Sequence, residues 1–159
     1  MASSCSRQRC QCARDAAAFA MLYGGGLRRA EVVALDLSDY ESSQARLIVH
    51  GKGQTEHSVY LDDGSEGALV EWLYHRGDQQ GPLICPVYRG GRIEYRRLTD
   101  ASLYRAIDRR RKEAKVTPFT PHDLIRSFGG DLLDAGADLA TVQRLMGQSP
   151  DRRRLRSAR

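Results

Sequence analysis

The cations best suited to phosphate chemistry stand at two places far apart in the chain. The first is the pair Arg28 and Arg29, which follow three consecutive glycines and open a helix that apolar spacing predicts over residues 27–37. The N-terminus of a helix is electropositive, so the helix dipole does not favour arginine there. Side chains placed against a local preference indicate another constraint, and a guanidinium is a planar fork that binds two phosphate oxygens.

The second place is the stretch TPHDLIRSF, residues 120–128, which has the pattern of a helix start. Thr120 can accept hydrogen bonds from free backbone N–H groups, Pro121 suits the first helical position, and His122 then lies in the first turn. Taken alone, these residues have two interpretations: a capped helix with a solvated histidine, or a helix that presents a functional histidine. The arginines at the first place favour the second interpretation.

A third cation, Lys52, lies in a predicted hairpin turn. Residues 45–50 and 56–61 alternate with a period of two, and the residues GKGQ join them. A lysine at a hairpin tip usually serves solubility. Lys52 therefore becomes a site candidate only in combination with the other cations.

The elements that must position these residues are mostly helices. Apolar spacing predicts helices over residues 13–23, 27–37, 67–76, 98–114, 121–133 and 139–146. The helix over 27–37 is expected to bury the face that carries Leu27, Ala30, Val33 and Ala34. Residues 82–87 are predicted to be a strand or a buried connector, and Trp72, Leu103 and Ile107 are predicted core residues. The predicted fold class is therefore mixed, mostly α with a small antiparallel β-hairpin sheet.

The charge distribution does not by itself predict a DNA-binding protein. The formal net charge is +5, and five arginines in residues 152–159 account for all of it. A DNA contact must therefore depend on local basic clusters, of which residues 89–97 and 105–115 are the candidates.

Three regions are predicted along the chain: a disordered leader over residues 1–12, a folded domain over 13–148 and an Arg-rich tail over 149–159. The three cysteines of the leader lack the spacing and the fourth ligand of a zinc site, so no metal is predicted and these thiols are expected to be unpaired. No signal peptide and no apolar run of about 20 residues is present, which predicts a cytoplasmic protein without membrane contact.

Taken in order, four segments resemble the catalytic domain of the tyrosine recombinases, the phage integrase family. They are GGLRRAEVVALDL, HGKGQTEHSVYL, TPHDLIRSF and DLLDAGADLATVQRLMG, and the resemblance covers residues 13–148. It implies a tyrosine-recombinase catalytic-domain fold and a site-specific recombinase or integrase. In this family a tyrosine hydroxyl attacks a DNA phosphodiester, holds the strand as a phosphotyrosine and lets it rejoin, without a metal or another cofactor.

The resemblance assigns catalytic roles to three residues. Arg28 matches the first phosphate-binding arginine, Lys52 the hairpin lysine that protonates the leaving oxygen, and His122 the histidine that helps move the proton of the tyrosine. Glu31 matches the structural acid that follows the arginine. The implied partners are double-stranded DNA and other recombinase subunits.

Three positions depart from the pattern of the family. Ile125 stands where the His-x-x-Arg motif has its second arginine, and the next residue, Arg126, is rotated away by about 100° on a helix. Gln148 replaces the histidine or tryptophan expected after Leu-Met-Gly. Ser157 stands where the nucleophilic tyrosine is expected, and the last tyrosine of the chain is Tyr104. The resemblance therefore implies a member that binds DNA and is defective in cleavage.

Other interpretations stay open at this point. The N-terminal helical domain of the family is not found before residue 13, which predicts a truncated protein with weak, salt-dependent DNA binding. The alternatives are a non-catalytic domain that binds DNA or regulates a partner, and the product of a decayed gene.

The tail after Gln148 has no apolar pattern, and we interpret it as a frameshifted C-terminus. The residues Leu155-Arg156-Ser157 can be encoded CTA-CGA-TCG, and a shift by one base gives TAC-GAT-CG, which begins Tyr-Asp-Arg. The hypothesis requires coding DNA in which a shifted frame restores a tyrosine segment.

Overall fold

The computed structural model describes residues 7–115 together with residues 134 and 136, and the main elements of residues 7–115 are four α-helices and a short three-stranded sheet, joined in part by single-turn 3-10 helices. In chain order the elements are α1 (Arg7–Tyr23), α2 (Arg29–Ala34), β1 (Tyr40–Glu41), β2 (Arg46–His50), β3 (Glu56–Tyr60), α3 (Asp63–Arg76) and α4 (Asp100–Glu113). This confirms the predicted fold class, mostly helical with a small antiparallel sheet. Outside the described residues lie the predicted helices over 121–133 and 139–146 and the site candidates His122, Ile125, Gln148 and Ser157.

Helix α1 is rich in alanine and packs against α3. Alanine has the highest helix propensity, and its small side chain lets two helices approach closely. The helix begins at Arg7, so the prediction of a disordered leader is wrong for residues 7–12. The reason is that the buried face of α1 continues through Cys10, which is only 1% exposed. Cys10 is also disulfide-bonded, so the expectation of an unpaired thiol is wrong for this residue.

Helix α2 is shorter than predicted, and its buried face differs. It spans Arg29–Ala34, and Arg28 precedes it as an N-cap residue with extended backbone. Leu27 is buried and Val33 packs against the core. However, Ala30 and Ala34 are exposed and Val32 is buried instead, so the predicted buried face is wrong for the two alanines. The extended backbone at both ends of the helix breaks the 3.6-residue period that the prediction carried across residues 27–37.

The three strands pair in antiparallel fashion in the order β1–β2–β3. In the β2–β3 register Leu47 pairs with Val59, and Val49 pairs with His57. Leu47 and Val49 are buried while their neighbours on β2 are more exposed, which is the period of two that the sequence showed. The predicted hairpin is confirmed, whereas β1, with two residues, is too short to leave a period in the sequence.

The connector between α3 and α4 runs through the core, as predicted. Leu83 and Ile84 are at most 1% exposed. Trp72 on α3 is fully buried, and its Nε1–H donates to the carbonyl oxygen of Leu83 at 2.8 Å. The predictions that Trp72, Leu103 and Ile107 belong to the core are confirmed.

Arg76, the last residue of α3, is fully buried without a carboxylate partner among the described residues. Its guanidinium donates to the carbonyl oxygens of Gly77 at 2.9 Å and Gln79 at 2.7 Å. It also donates to the carbonyl oxygen of Pro82 at 2.8 Å and lies 5.3 Å from the ring centroid of Tyr95. A buried charge needs such bonds because its desolvation is costly. Arg76 therefore fixes the loop that follows α3.

Asp15 is the ionic centre between α1 and α4. Its side chain is 4% exposed and contacts Arg14 at 2.7 Å. Arg110 and Arg109 of α4 contact the other carboxylate oxygen at 2.8 Å and 3.1 Å. Asp15 therefore ties the C-terminal half of α4 to α1.

We predict that Asp15→Asn lowers the free energy of unfolding by about 3–5 kcal/mol, because the nearly buried Arg14 loses its counter-charge. Urea unfolding followed by circular dichroism measures the change. Asp108→Asn is the matched control: Asp108 is more exposed than Asp15 and pairs only with Arg111 and Lys112 of its own helix among the described residues, so its loss should change the unfolding free energy less. Equal effects of the two substitutions would contradict the ionic tie.

Candidate functional site

Arg28 is held through its backbone, and its side chain has no partner among the residues that the structure describes. The backbone N–H of Arg28 donates to Glu31 Oε2 at 2.7 Å, which satisfies an N–H group at the start of α2. The guanidinium is exposed and makes no hydrogen bond or ion pair with any residue that the structure describes. The carboxylate of Glu31 thus fixes the position of Arg28 without neutralising its charge through a direct ion pair.

The loop before Arg28 is packed too closely to carry side chains. A Cβ at Gly24 would collide with Ser65 Oγ in α3, and a Cβ at Gly25 would press against β3. Gly26 has a φ of +64°, in the left-handed region that favours glycine. The three glycines therefore let the chain turn from α1 into α2 against α3 and β3, and this turn fixes where Arg28 emerges.

Arg29 has a different role from its neighbour. Its Nε contacts Asp100 Oδ1 at 2.6 Å, and its guanidinium carbon lies 5.2 Å from the ring centroid of Tyr104. Both partners belong to α4, so Arg29 fastens α2 to α4. The two arginines are adjacent in the sequence but differ in the structure. The guanidinium of Arg29 is paired, whereas that of Arg28 has no partner among the described residues.

Arg97 fixes the other end of α2. Its Nη1 donates to the carbonyl oxygen of Val33 at 2.7 Å, and its Nη2 pairs with Asp36 Oδ1 at 2.7 Å. These bonds satisfy a carbonyl group at the helix C-terminus, where a cation is also favoured by the dipole. The role of Arg97 as a positioning residue was not predicted from the sequence, in which its only signal is that it belongs to the basic cluster 89–97.

Lys52 lies in the turn between β2 and β3, as predicted. The Gly51 N–H donates to the carbonyl oxygen of Thr55 at 2.7 Å, and Thr55 Oγ1 donates to the carbonyl oxygen of Lys52 at 2.9 Å. Gly53 has a φ of +73° within this turn. The ammonium group of Lys52 is exposed and has no partner among residues 7–115. Hydrogen bonds therefore hold the backbone of the turn, and they leave the ammonium group of Lys52 able to contact a ligand.

His50, the last residue of β2 before this turn, contacts two carboxylates. Its Nε2 lies 3.0 Å from Asp39 Oδ1, and its Nδ1 lies 3.1 Å from Glu56 Oε1. A neutral imidazole has one N–H, so both contacts are hydrogen bonds only when the ring is protonated. The hydrogen bond to Asp39, and to a lesser extent the charges of Asp39 and Glu56, raise the pKa of His50 above its ordinary value.

The basic end of α4 is largely neutralised by ion pairs. Arg109 and Arg110 contact Asp15, and Arg110 also contacts Glu113 at 2.8 Å. Arg111 and Lys112 contact Asp108, at 2.8 Å and 2.9 Å. In the basic cluster 105–115, most of the cations of residues 109–112 are therefore paired with carboxylates of the protein and are less suited to contact DNA.

The structure brings Arg28 and Lys52 onto neighbouring elements, because α2 packs against β2 and the Lys52 turn follows β2 directly. The other candidates, His122, Ile125, Gln148 and Ser157, lie outside the described residues. Exposed cations on a rigid support can bind an anion such as a phosphate. Within the described part, no group of three His, Cys, Asp or Glu side chains could hold a metal ion.

An apolar groove of about 780 Å³ lies between α1, the start of α3 and the end of α4. Phe19, Tyr23, Ile107 and Ala114 are among its lining residues, and neither Arg28 nor Lys52 is. Large pockets often mark binding sites. In this chain the groove does not coincide with the candidate site.

The sequence comparisons give one consistent result. The family profile described as "Phage integrase family" matches residues 1–152. The chain is similar to tyrosine recombinase XerC of Corynebacterium glutamicum, with 37% identity over 138 residues that cover 86% of this chain and 43% of that protein. The chain thus spans less than half the length of this relative.

The structural comparisons agree with this result. The described fold is similar to the crystal structure of XerA recombinase, with a TM-score of 0.75, 22% identity and coverage of 90% of this chain and 52% of that one. It is also similar to XerH site-specific recombinase bound to a palindromic difH substrate, with a TM-score of 0.68, 25% identity and coverage of 92% and 44%. None of the helices within residues 7–115 combines the length and apolar character that a bilayer span requires.

We predict that His50 makes the hairpin contribute to stability in a pH-dependent way. The folded-state pKa is raised above 6.5, so the contribution is fully present below pH 6.5 and is lost as the pH rises through the raised value. Urea unfolding should therefore give a higher free energy of unfolding for the wild type than for His50→Gln at low pH, and this difference should shrink as the pH rises. His75→Gln is the control, because His75 pairs with no carboxylate in the described part; an identical pH profile for both variants would sink the prediction.

Proposed function

The chain belongs to the phage integrase family of tyrosine recombinases, and from this membership we propose that it binds the phosphates of double-stranded DNA through Arg28 and Lys52. The observation that supports the proposal most directly is the contrast between neighbouring cations. Arg28 and Lys52 are exposed and unpaired within the described part of the chain, whereas Arg29 and Arg97 are paired with carboxylates. Contacts to phosphates supply most of the sequence-independent affinity for DNA.

The two cations suit different tasks in the reaction of the family. The guanidinium of Arg28 offers a planar fork to two oxygens of one phosphate, and it neutralises charge that builds up in the transition state. The ammonium of Lys52 is a point charge on a flexible stem, which suits a donor of a proton to the leaving oxygen. His122 completes the proposed set from outside the described residues.

We also propose that the chain does not complete the strand cleavage of its family. The support is in the sequence, where Ile125, Gln148 and Ser157 occupy the positions of a second arginine, a histidine or tryptophan and the nucleophilic tyrosine. By analogy with the loss of one oxyanion donor, a missing guanidinium costs about 3–4 kcal/mol of transition-state stabilisation, or about 10²–10³ in rate. Without the phenol, the phosphotyrosine itself does not form.

A folded DNA-binding domain is favoured over the product of a decayed gene. Among the described residues, no buried side-chain N or O atom lacks a hydrogen-bond partner. Hydrogen-bonded buried polar groups are typical of a native core, which supports a folded domain in this part of the chain. The proposal keeps other recombinase subunits as partners, and it keeps a cytoplasmic location because a protein that acts on cellular DNA works where that DNA lies.

We predict that Arg28→Gln and Lys52→Gln each weaken binding to a short random-sequence DNA duplex. Each lost phosphate contact should reduce the magnitude of the slope of log K against log salt by about 0.9. Fluorescence anisotropy over a salt series measures both the affinity and the slope.

Lys112→Gln is the matched control for this experiment. It removes one exposed positive charge that is already paired with Asp108, so affinity and slope should stay close to those of the wild type. The proposal fails if the wild type does not bind the duplex at low salt. It also fails if the control weakens binding as much as Arg28→Gln does.

We predict that the wild-type chain forms no covalent adduct with a nicked suicide duplex, because the position of the nucleophile holds Ser157. Denaturing gel electrophoresis of the labelled duplex detects an adduct, and a recombinase of the family that retains its tyrosine validates the assay. A DNA adduct that survives denaturation would overturn the proposed cleavage defect and leave the proposed DNA binding intact.

A further inference from the structure

A second, basic hairpin lies in the segment between the buried connector and α4. Val87 and Ile93 pair in an antiparallel bridge, and the Tyr88 N–H donates to the carbonyl oxygen of Arg92 at 2.8 Å. The residues at its tip are Arg89, Gly90 and Gly91. The hairpin belongs to the basic cluster 89–97, whose Arg97 is already engaged with α2.

Arg92 of this hairpin and Arg96, which follows the hairpin, are arranged around Tyr88. The guanidinium carbons of Arg92 and Arg96 lie 5.8 Å and 5.9 Å from the ring centroid of Tyr88. The Arg96 Nη2 also donates to Tyr88 Oη at 2.6 Å. These contacts restrict two long side chains before any ligand binds, which lowers the entropy that binding would otherwise cost.

The positive charge of the hairpin is poorly compensated. Arg89 and Arg92 are exposed and pair with no carboxylate in the described part of the chain. Arg96 has one acidic partner, Glu94, whose Oε1 lies 3.4 Å from its Nε, and both side chains are about half exposed. At 3.4 Å this contact is longer than the 2.9 Å contact between Lys112 and Asp108, so it holds Arg96 less firmly and competes less with a phosphate. The basic end of α4, where every arginine from 109 to 111 has a carboxylate partner, shows the opposite arrangement.

The base of the hairpin is anchored, so its cations project from a rigid support. Val87 is only 6% exposed, and Ile93 packs against the core. Gln11 of α1 donates from Nε2 to the carbonyl oxygen of Val87 at 3.3 Å. Groups on a rigid support bind more strongly than groups on a mobile loop, because less ordering is needed.

We propose that Tyr88, Arg89, Arg92 and Arg96 form a second phosphate-binding site, which takes the sugar–phosphate backbone of double-stranded DNA. The site is separate from Arg28 and Lys52, since it lies on a hairpin against α1 rather than on α2 or the β2–β3 turn. Its cations are spread along an exposed hairpin and do not converge on a closed pocket, which suits successive phosphates of a strand better than a single free phosphate. The inference rests on the proposed DNA binding and extends it.

The test uses the full chain and the same random-sequence duplex. Arg89→Gln and Arg92→Gln should each weaken binding and each reduce the magnitude of the salt slope by about 0.9, because each removes one phosphate contact. Tyr88→Phe keeps the ring and removes the hydrogen bond to Arg96, so it should weaken binding less than either arginine substitution. Lys112→Gln is the control, and thermal unfolding by circular dichroism confirms that the hairpin variants are folded.

The outcomes separate this inference from the proposed function. If Arg28→Gln and Lys52→Gln weaken binding while Arg89→Gln and Arg92→Gln do not, the second site is refuted and the proposed function stands. If the folded wild type binds no duplex, both are refuted. Titration with inorganic phosphate tests whether the site binds free phosphate rather than the DNA backbone. Backbone amide NMR shifts of residues 88–96 report that binding. Saturation by free phosphate with no effect of the substitutions on DNA affinity would refute the DNA assignment.

Discussion

The geometry of the candidate site depends on how a six-residue helix is held in place. A helix of this length is not stable by itself, because nucleation costs more than a single turn returns. In this chain the carboxylate of Glu31 fastens the N-terminus of α2 by accepting the backbone N–H of Arg28, and the guanidinium of Arg97 fastens the C-terminus through the carbonyl group of Val33. The ion pair between Arg29 and Asp100 holds the helix against α4. These bonds are made by the backbone of Arg28 and by neighbouring residues. They therefore fix the position of Arg28 without using its guanidinium.

The cations of the protein fall into two groups. Some form ion pairs that stabilise the fold, and others have no carboxylate partner in the described part of the chain and can bind a ligand. Buried or half-buried carboxylates such as Asp15 engage the arginines of α4, and the backbone carbonyls of a loop engage Arg76. Arg28 and Lys52 lack such partners within the described residues. The formal net charge of +5 is therefore a poor guide to DNA binding, because what matters is which guanidinium and ammonium groups remain uncompensated on the surface.

Much of the fold could be predicted from local patterns. The alternation of Leu47 and Val49 with more exposed neighbours predicted the hairpin, and apolar spacing over residues 98–114 predicted α4, which spans Asp100–Glu113. The errors arose where tertiary contacts override a local period. Helix α2 is shorter than its apolar spacing suggested because its two ends are held in extended backbone by the rest of the protein. Strand β1 was missed because two residues carry no period.

The sequence by itself determined the family, the hairpin that carries Lys52 and the glycine turn before Arg28, since each depends on residue types at short, fixed spacing. The assignment of Ile125 to the position of a second arginine stays a prediction from the resemblance. Only the tertiary structure decided which of two adjacent arginines pairs with a carboxylate within the described part of the chain. That choice depends on Asp100, a residue 71 positions away from Arg29, and no local pattern contains it. Contacts of such separation form only when the chain has folded, because the side chains that make them are brought together by the packing of α2 on α4.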